Sequence, residues 1–207
     1  MNIILVRHGE TAYNAEGRMY GHAQVPLNQR GVAQAQAVAQ RLRATPFDAI
    51  YASDLIRATQ TAQAIAALQS VSVVSRPALR EQHVGDWEHL TIPEVKQQFP
   101  EEYATHSADP AYTAYTNGES FAMLQARAYA ELGRIQRDHA AGTSICVVCH
   151  GGTINALVCA VLGLDIVHHT KLWIDNCSMT TLQQVGPQLQ LVRLNDNAHL
   201  TDFGQLP

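Results

Sequence analysis

Two apolar runs, each ending in His-Gly, constrain what this chain can fold into more than any other feature. Ile3 to Val6 reads Ile-Ile-Leu-Val and runs straight into Arg7, His8 and Gly9, while Ser144 to Cys149 runs into His150, Gly151, Gly152 and Thr153. Short β-prone runs of this kind fit strands covered on both faces. In open α/β sheets, ligands bind beyond the carboxyl ends of the strands, so two strands ending alike would bring both histidines to one crevice.

The intervening sequence alternates helices and strands, which places the chain in the α/β class. An amphipathic helix is expected from Val32 to Arg43, with Val32, Ala35, Ala39 and Leu42 on its buried face and Gln34, Gln36 and Gln40 away from it. A strand from Asp48 to Ala52 follows. Ser53 is then read as the cap of a second helix that buries Leu55, Ile56, Ala62, Ile65, Ala66 and Leu68. Val71 to Ser75 reads as a third strand, Phe121 to His139 as a long helix and Ile154 to Leu162 as another. Met179 to Val185 and Gln188 to Arg193 form a closing hairpin around Gly186-Pro187.

With 207 residues, 46% hydrophobic and 15% charged, the chain can bury a real core as one domain over 1–207. Between the third strand and the long helix, Pro77, Pro93, Pro100 and Pro110 break up the pattern. Short helices and loops are expected there, as a lid insertion over about 82–118 where substrate choice is made. A net charge of −4 gives no general attraction for nucleic acid or an anionic membrane. No apolar run approaches the roughly 20 residues that span a bilayer, and the sequence opens directly in a strand, so a cytoplasmic location is expected. Cys146 and Cys149 are three apart on a strand and point to opposite faces, so they are read as buried structural residues like Cys159 and Cys177. Asn176-Cys177-Ser178 matches a glycosylation acceptor but is idle without secretion.

The loop after the first strand has its own chemistry. Arg7 offers a planar fork of donors suited to phosphate or carboxylate, and His8 a nitrogen that is nucleophilic when uncharged. Gly9 would let a ligand approach the main chain. Arg57 falls one turn into the second helix, where backbone N–H groups and the helix dipole already favour an anion. His22, His83, His89, His106, His139, His168, His169 and His199 lack metal-ligand spacing, so no metal site is assigned.

Taken in order, six blocks resemble the histidine phosphatase superfamily, which includes the cofactor-dependent phosphoglycerate mutases. They are Arg7-His8-Gly9-Glu10-Thr11 with Asn14, Arg18 to Leu27, Ser-Asp-Leu-x-Arg-Ala-x-Gln-Thr-Ala from Ser53 to Ala62, Leu79 to Glu88, Asn117 to Ser120, and Cys149 to Ile154. The short length and Gly85-Asp86-Trp87-Glu88 are most similar to its alpha-ribazole phosphatase and phosphoserine phosphatase branch. The resemblance implies a three-layer α/β/α sandwich with a mostly parallel central sheet and a helical lid insertion. It implies that His8 accepts the phosphoryl group, that Arg7, Arg57 and His150 surround the phosphate oxygens, and that Glu81 is the acid, with Glu88 as the competing carboxylate. Gly9, Glu10, Thr11, Asn14, Tyr20, Gly21 and Gly151 would contact substrate, with no cofactor and no metal. Three positions depart from the pattern: His89 stands where Gly is usual, Gln24 where Asp is usual, and Cys149 where Ser is common.

The expected activity is metal-independent hydrolysis of a small phosphomonoester through a phosphohistidine. A cofactor-dependent phosphoglycerate mutase is the alternative, disfavoured because such mutases carry extra segments between the acid block and the second His. A non-catalytic phosphate- or phosphopeptide-binding module is the lesser alternative, since all five reacting groups are retained. The expected partner is the small-molecule substrate, with a homodimer left open.

Overall fold

The computed structural model describes residues 1–203. One sheet of six strands organises the chain: β1 (Asn2–Arg7), β2 (Ala49–Ala52), β3 (Val73–Ser75), β4 (Ser144–Cys149), β5 (Met179–Val185) and β6 (Gln188–Asp196), in the order β3-β2-β4-β1-β5-β6. The first four run parallel, and β5 and β6 add an antiparallel edge. Register fixes where the reactive loops emerge. Arg7 pairs with Cys149 and Ala52 with Val148, so His8, His150 and Ser53 leave the sheet side by side at its carboxyl edge.

The helices are α1 (Ala12–Glu16), α2 (Gln29–Leu42), α3 (Ile56–Ala66), α4 (Ile92–Gln98), α5 (Pro100–Ala108), α6 (Phe121–Asp138) and α7 (Gly151–Leu162). Because side chains alternate along a strand, the sheet feeds two cores. Ile3, Leu5, Ile145 and Val147 face α6 and α7, while Val6, Ile50, Cys146 and Val148 face α2 and α3. The result is the expected three-layer α/β/α arrangement. Cys146 and Cys149 lie in opposite cores, and burial pushes the Cys146 thiol up to about 12. Each fully buried Leu or Ile contributes about 2 kcal/mol, so the strand ends are held by the cores rather than by the loops they carry.

Several boundaries differ from the sequence reading for identifiable reasons. Helix α2 starts at Gln29, three residues before Val32, because the Asn28 side chain accepts the Gly31 N–H at 2.8 Å and caps it there. Val32 is 44% exposed, whereas Gln34 is buried and its Oε1 accepts the Glu10 N–H at 2.9 Å. Ser53 does not cap α3. That helix starts at Ile56, whose N–H is taken at 2.8 Å by Oε1 of Gln24, so this departure from the family pattern serves as a cap from a distant loop. Ile56 and Leu68 are exposed rather than buried. Helix α7 begins at Gly151, directly after His150.

Between β3 and α6 the chain forms short helices with a cluster of its own, Val84, Trp87, Val95 and Tyr115, in which Trp87 is fully covered. Thr91 and Glu94 close a capping box at the start of α4, and a bridge between Arg18 and Thr91 ties the segment to the loop after α1. Among the described residues, no helix is long and apolar enough to cross a membrane.

Candidate active site

The loop leaving β1 is fixed through its main chain before any side chain matters. His8 donates its N–H to the Cys149 carbonyl at 3.0 Å, and Gly9 donates to Thr61 Oγ1 at 3.1 Å. Asn176 is buried and donates to the His8 carbonyl at 3.0 Å, which is what the idle glycosylation match does in the fold. Thr11 and Asn14 then exchange bonds in a capping box that turns the chain into α1.

Within this frame His8 is 2% exposed, and its Nδ1 lies 2.7 Å from the Gly9 carbonyl oxygen. A carbonyl only accepts, so Nδ1 carries the hydrogen and Nε2 keeps the lone pair. Burial, then the guanidinium groups of Arg57 and Arg7, hold the His8 pKa well below its ordinary 6.5, so the ring is neutral near pH 7.

The basic groups around it are anchored and incompletely satisfied. Arg57, in the first turn of α3, donates to the Gly21 carbonyl at 2.7 Å and the Ala23 carbonyl at 2.9 Å and stacks 4.4 Å over the Tyr20 ring. Arg7 donates to the Ile174 carbonyl at 2.6 Å. The His150 ring centroid is 5.1 Å from that of His8, and its Nε2 lies 2.8 Å from Ser53 Oγ. Burial, followed by Arg57, keeps His150 neutral as well. Nε of Arg7, Nε of Arg57 and Nδ1 of His150 are buried and have no hydrogen-bond partner. Leaving such a group unpaired costs about 1–3 kcal/mol.

Arg7, His8 and Arg57 open onto a cleft of about 250 Å³ that they line together with Glu81, whereas His150 is fully buried against His8 and is not itself in the lining. The Glu81 carboxylate accepts the Gly152 N–H at 2.9 Å on one oxygen and the Gln82 N–H at 2.9 Å on the other. Glu88 does not line the cleft; its carboxylate takes the His22 N–H at 2.6 Å and holds the Gly21 loop. Of the other expected contacts, Asn14, Tyr20 and Gly21 are in the lining.

Gly9, Glu10, Thr11 and Gly151 are not in the lining. A Cβ on Gly9 would sit 2.4 Å from the Gly31 carbonyl oxygen, so Gly9 admits another stretch of main chain rather than a ligand. Glu10 is buried behind the loop, taking a hydrogen bond from Asn28 at 2.8 Å and pairing with Arg30 at 3.4 Å. Thr11 is a helix cap, and Gly151 lies against the Arg7 side chain.

Residues to which the sequence reading gives no role in the site complete it. Ser53 holds His150, and Gly152 holds Glu81: a Cβ on Gly152 would meet Glu81 Oε1 at 2.4 Å. The doubled glycine after His150 is the available signal. Met19, Val84, Tyr115 and Phe121 add an apolar wall, with Arg18 and Gln82 beside it. His89 takes φ +72°, the left-handed region that explains the glycine usual there, and its ring meets the Tyr13 hydroxyl at 3.0 Å. Among the described residues, no group of three His, Cys, Asp or Glu side chains is placed to hold a metal ion.

Comparison with known proteins matches this geometry to a family. The description "Histidine phosphatase superfamily (branch 1)" matches residues 3–197. The chain is 30% identical over 203 residues to phosphoserine phosphatase 1 of Hydrogenobacter thermophilus, covering 98% of this chain and 96% of that protein. It is 42% identical over 158 residues to phosphoglycerate mutase-like protein 4 of Arabidopsis thaliana, covering 75% of this chain and 68% of that one. Among solved structures, the alpha-ribazole phosphatase of Shigella flexneri superposes with a TM-score of 0.88 at 29% identity, covering 95% of this chain and 96% of the other. The chain therefore belongs to the histidine phosphatase superfamily.

Proposed function

We propose that this protein hydrolyses a small phosphomonoester through a phosphohistidine at Nε2 of His8, without a metal ion. The observation that carries the reading is a neutral His8, its Nδ1 tied to the Gly9 carbonyl, in a cleft that Arg7, Arg57 and Glu81 also line. Phosphoryl transfer asks for in-line attack and for fixed donors around three equatorial oxygens, and Arg7, Arg57 and His150 are such donors. Ser53 Oγ lies 2.8 Å from Nε2 of His150, and in the tautomer in which that hydroxyl donates, Nδ1 of the ring carries the hydrogen a phosphate oxygen needs.

In the first step the His8 Nε2 lone pair forms the N–P bond as the P–O bond to the leaving group breaks, and Glu81 gives its proton to the departing alkoxide oxygen. In the second, water attacks phosphorus, the N–P bond breaks, and the ionised Glu81 takes the proton from that water. Positive charge comes from the two guanidinium groups, which makes a metal unnecessary.

A mutase reading has support in the Arabidopsis relative's name. A panel of phosphomonoesters, assayed in EDTA with and without 2,3-bisphosphoglycerate, separates the two. Release of inorganic phosphate in EDTA, unchanged by the bisphosphate, is expected. Phosphoglycerate isomerisation that depends on the bisphosphate would establish the mutase, and loss of rate in EDTA restored by Mg²⁺ or Zn²⁺ would overturn metal independence.

A further inference from the structure

Arginine has five N–H donors in a rigid planar fork, and at Arg127, on α6, every one of them is used. Nε donates to Glu119 Oε2 at 3.0 Å, and Nη2 donates to the other Glu119 oxygen and to the Glu81 carbonyl at 2.7 Å. Nη1 donates to the carbonyls of Ala78 at 3.0 Å and Arg80 at 2.8 Å. Three of the four consecutive carbonyls from Ala78 to Glu81 thus point at one guanidinium, and Glu119 holds the back of the fork. With no donor left over and no place in the cleft lining, Arg127 is not a further phosphate ligand.

The carbonyls it gathers are shared with the site itself. Arg80 O also accepts the Thr153 hydroxyl at 3.0 Å, and Glu81 O accepts His22 Nε2 at 2.8 Å. Thr153 lies on α7 one residue after Gly152, whose N–H holds the Glu81 carboxylate. His22 follows Gly21, whose carbonyl anchors Arg57. The main chain from Ala78 to Glu81 is therefore clamped between α6, α7 and the Gly21 loop, with Arg127 supplying three of the five bonds.

We infer that Arg127, backed by Glu119, is the positioning residue for Glu81: it sets where the carboxyl stands relative to the leaving-group oxygen without touching substrate. This rests on the reading of Glu81 as the proton donor. A merely structural anchor would lower stability and affect all substrates alike. A positioning residue makes the loss depend on how much the leaving group needs a proton, because displacing a catalytic group by about 1 Å costs on the order of 10²-fold in the step it serves.

The test measures kcat/KM of the full chain on β-glycerophosphate, a poor alkyl leaving group, and on p-nitrophenyl phosphate, whose leaving group departs with little help. Wild type, Glu81→Gln, Arg127→Lys and the double variant are compared, with circular dichroism and urea midpoints as controls. A lysine ammonium has three donors and cannot span Glu119 and three carbonyls. Arg127→Lys is expected to lose about tenfold more on the alkyl than on the aryl ester, and to add little on the alkyl ester once Glu81 is already Gln. Should Arg127→Lys fail to fold, Glu119→Gln carries the same comparison, because it keeps the side-chain size while weakening the grip on the fork. Equal losses on both esters in the folded variant, beside a leaving-group-dependent Glu81→Gln, would overturn the role of Arg127 alone. A Glu81→Gln with equal losses would overturn the acid assignment, and the role of Arg127 with it.

Discussion

The two sides of the cleft are built in different ways. The side carrying His8, Arg7, His150 and Arg57 is assembled from the ends of adjacent strands and the first turn of α3, where the pairing of Arg7 with Cys149 and Ala52 with Val148 dictates the geometry. The side carrying Glu81 is a stretch without ladder bonds of its own, placed by Arg127, Gly152 and Thr153. In the proposed mechanism, phosphate binding thus draws on the stability of the whole sheet. Proton transfer, as proposed for Glu81, would depend on a few long-range hydrogen bonds. Damage to the first side should affect every substrate, and damage to the second only those that need an acid.

The largest effect expected from this contrast is that of Arg57→Ala. Removing one preorganised donor costs on the order of 10²–10³-fold, and here the loss should be equal for alkyl and aryl phosphates. A leaving-group dependence in kcat/KM for this variant would blur the division between the two sides.

Gly152→Ala should act on the other side, by about tenfold and on alkyl esters only. The new Cβ would sit 2.4 Å from Glu81 Oε1, the far end of a flexible side chain, so the carboxyl moves and the backbone need not. Alanine is also a better helix former than glycine, so the urea midpoint should hold while alkyl-ester activity falls. A parallel fall in stability and in both activities would show that Gly152 serves packing instead.

A smaller effect probes the first side by pH. His8 and His150 are held neutral with pKa values well below 6.5, so on acidification the unfolded chain takes up protons that the folded chain refuses. Their contribution to stability is complete above about pH 6.5 and is lost as pH falls from there toward the folded-state values. Each histidine contributes a slope of up to about 1.4 kcal/mol per pH unit. Urea unfolding of His150→Gln between pH 6.5 and 5 should show a slope shallower by about one proton. An unchanged slope would mean that His150 is not buried neutral.

The same contrast governs how much can be read from the sequence. Strand ends, the opposite faces of Cys146 and Cys149, and the position of Arg57 follow from periods of 2 and 3.6 along the chain, and these are legible. Gln34 reads as solvent-facing while only its helix is in view. Its partner, the Glu10 N–H, arrives from another part of the chain. Ser53 looks like a helix cap for the same reason, since His150 is 97 residues away and Gln24 does the capping. Gly9 suggests room for a ligand, whereas the close approach is that of Gly31. The Arg127 fork joins α6 to carbonyls 46 to 49 residues earlier, and carbonyl acceptors leave no mark on residue type.

The central claim is covalent chemistry at His8 Nε2, and trapping the phosphoenzyme tests it most directly. Full-length protein turning over a ³²P-labelled phosphomonoester, quenched in alkaline detergent, should carry label that is base-stable and acid-labile. His8→Ala should fold as judged by circular dichroism, carry no label and show no turnover. Wild-type activity in His8→Ala, or label that stays on that variant, would contradict the account.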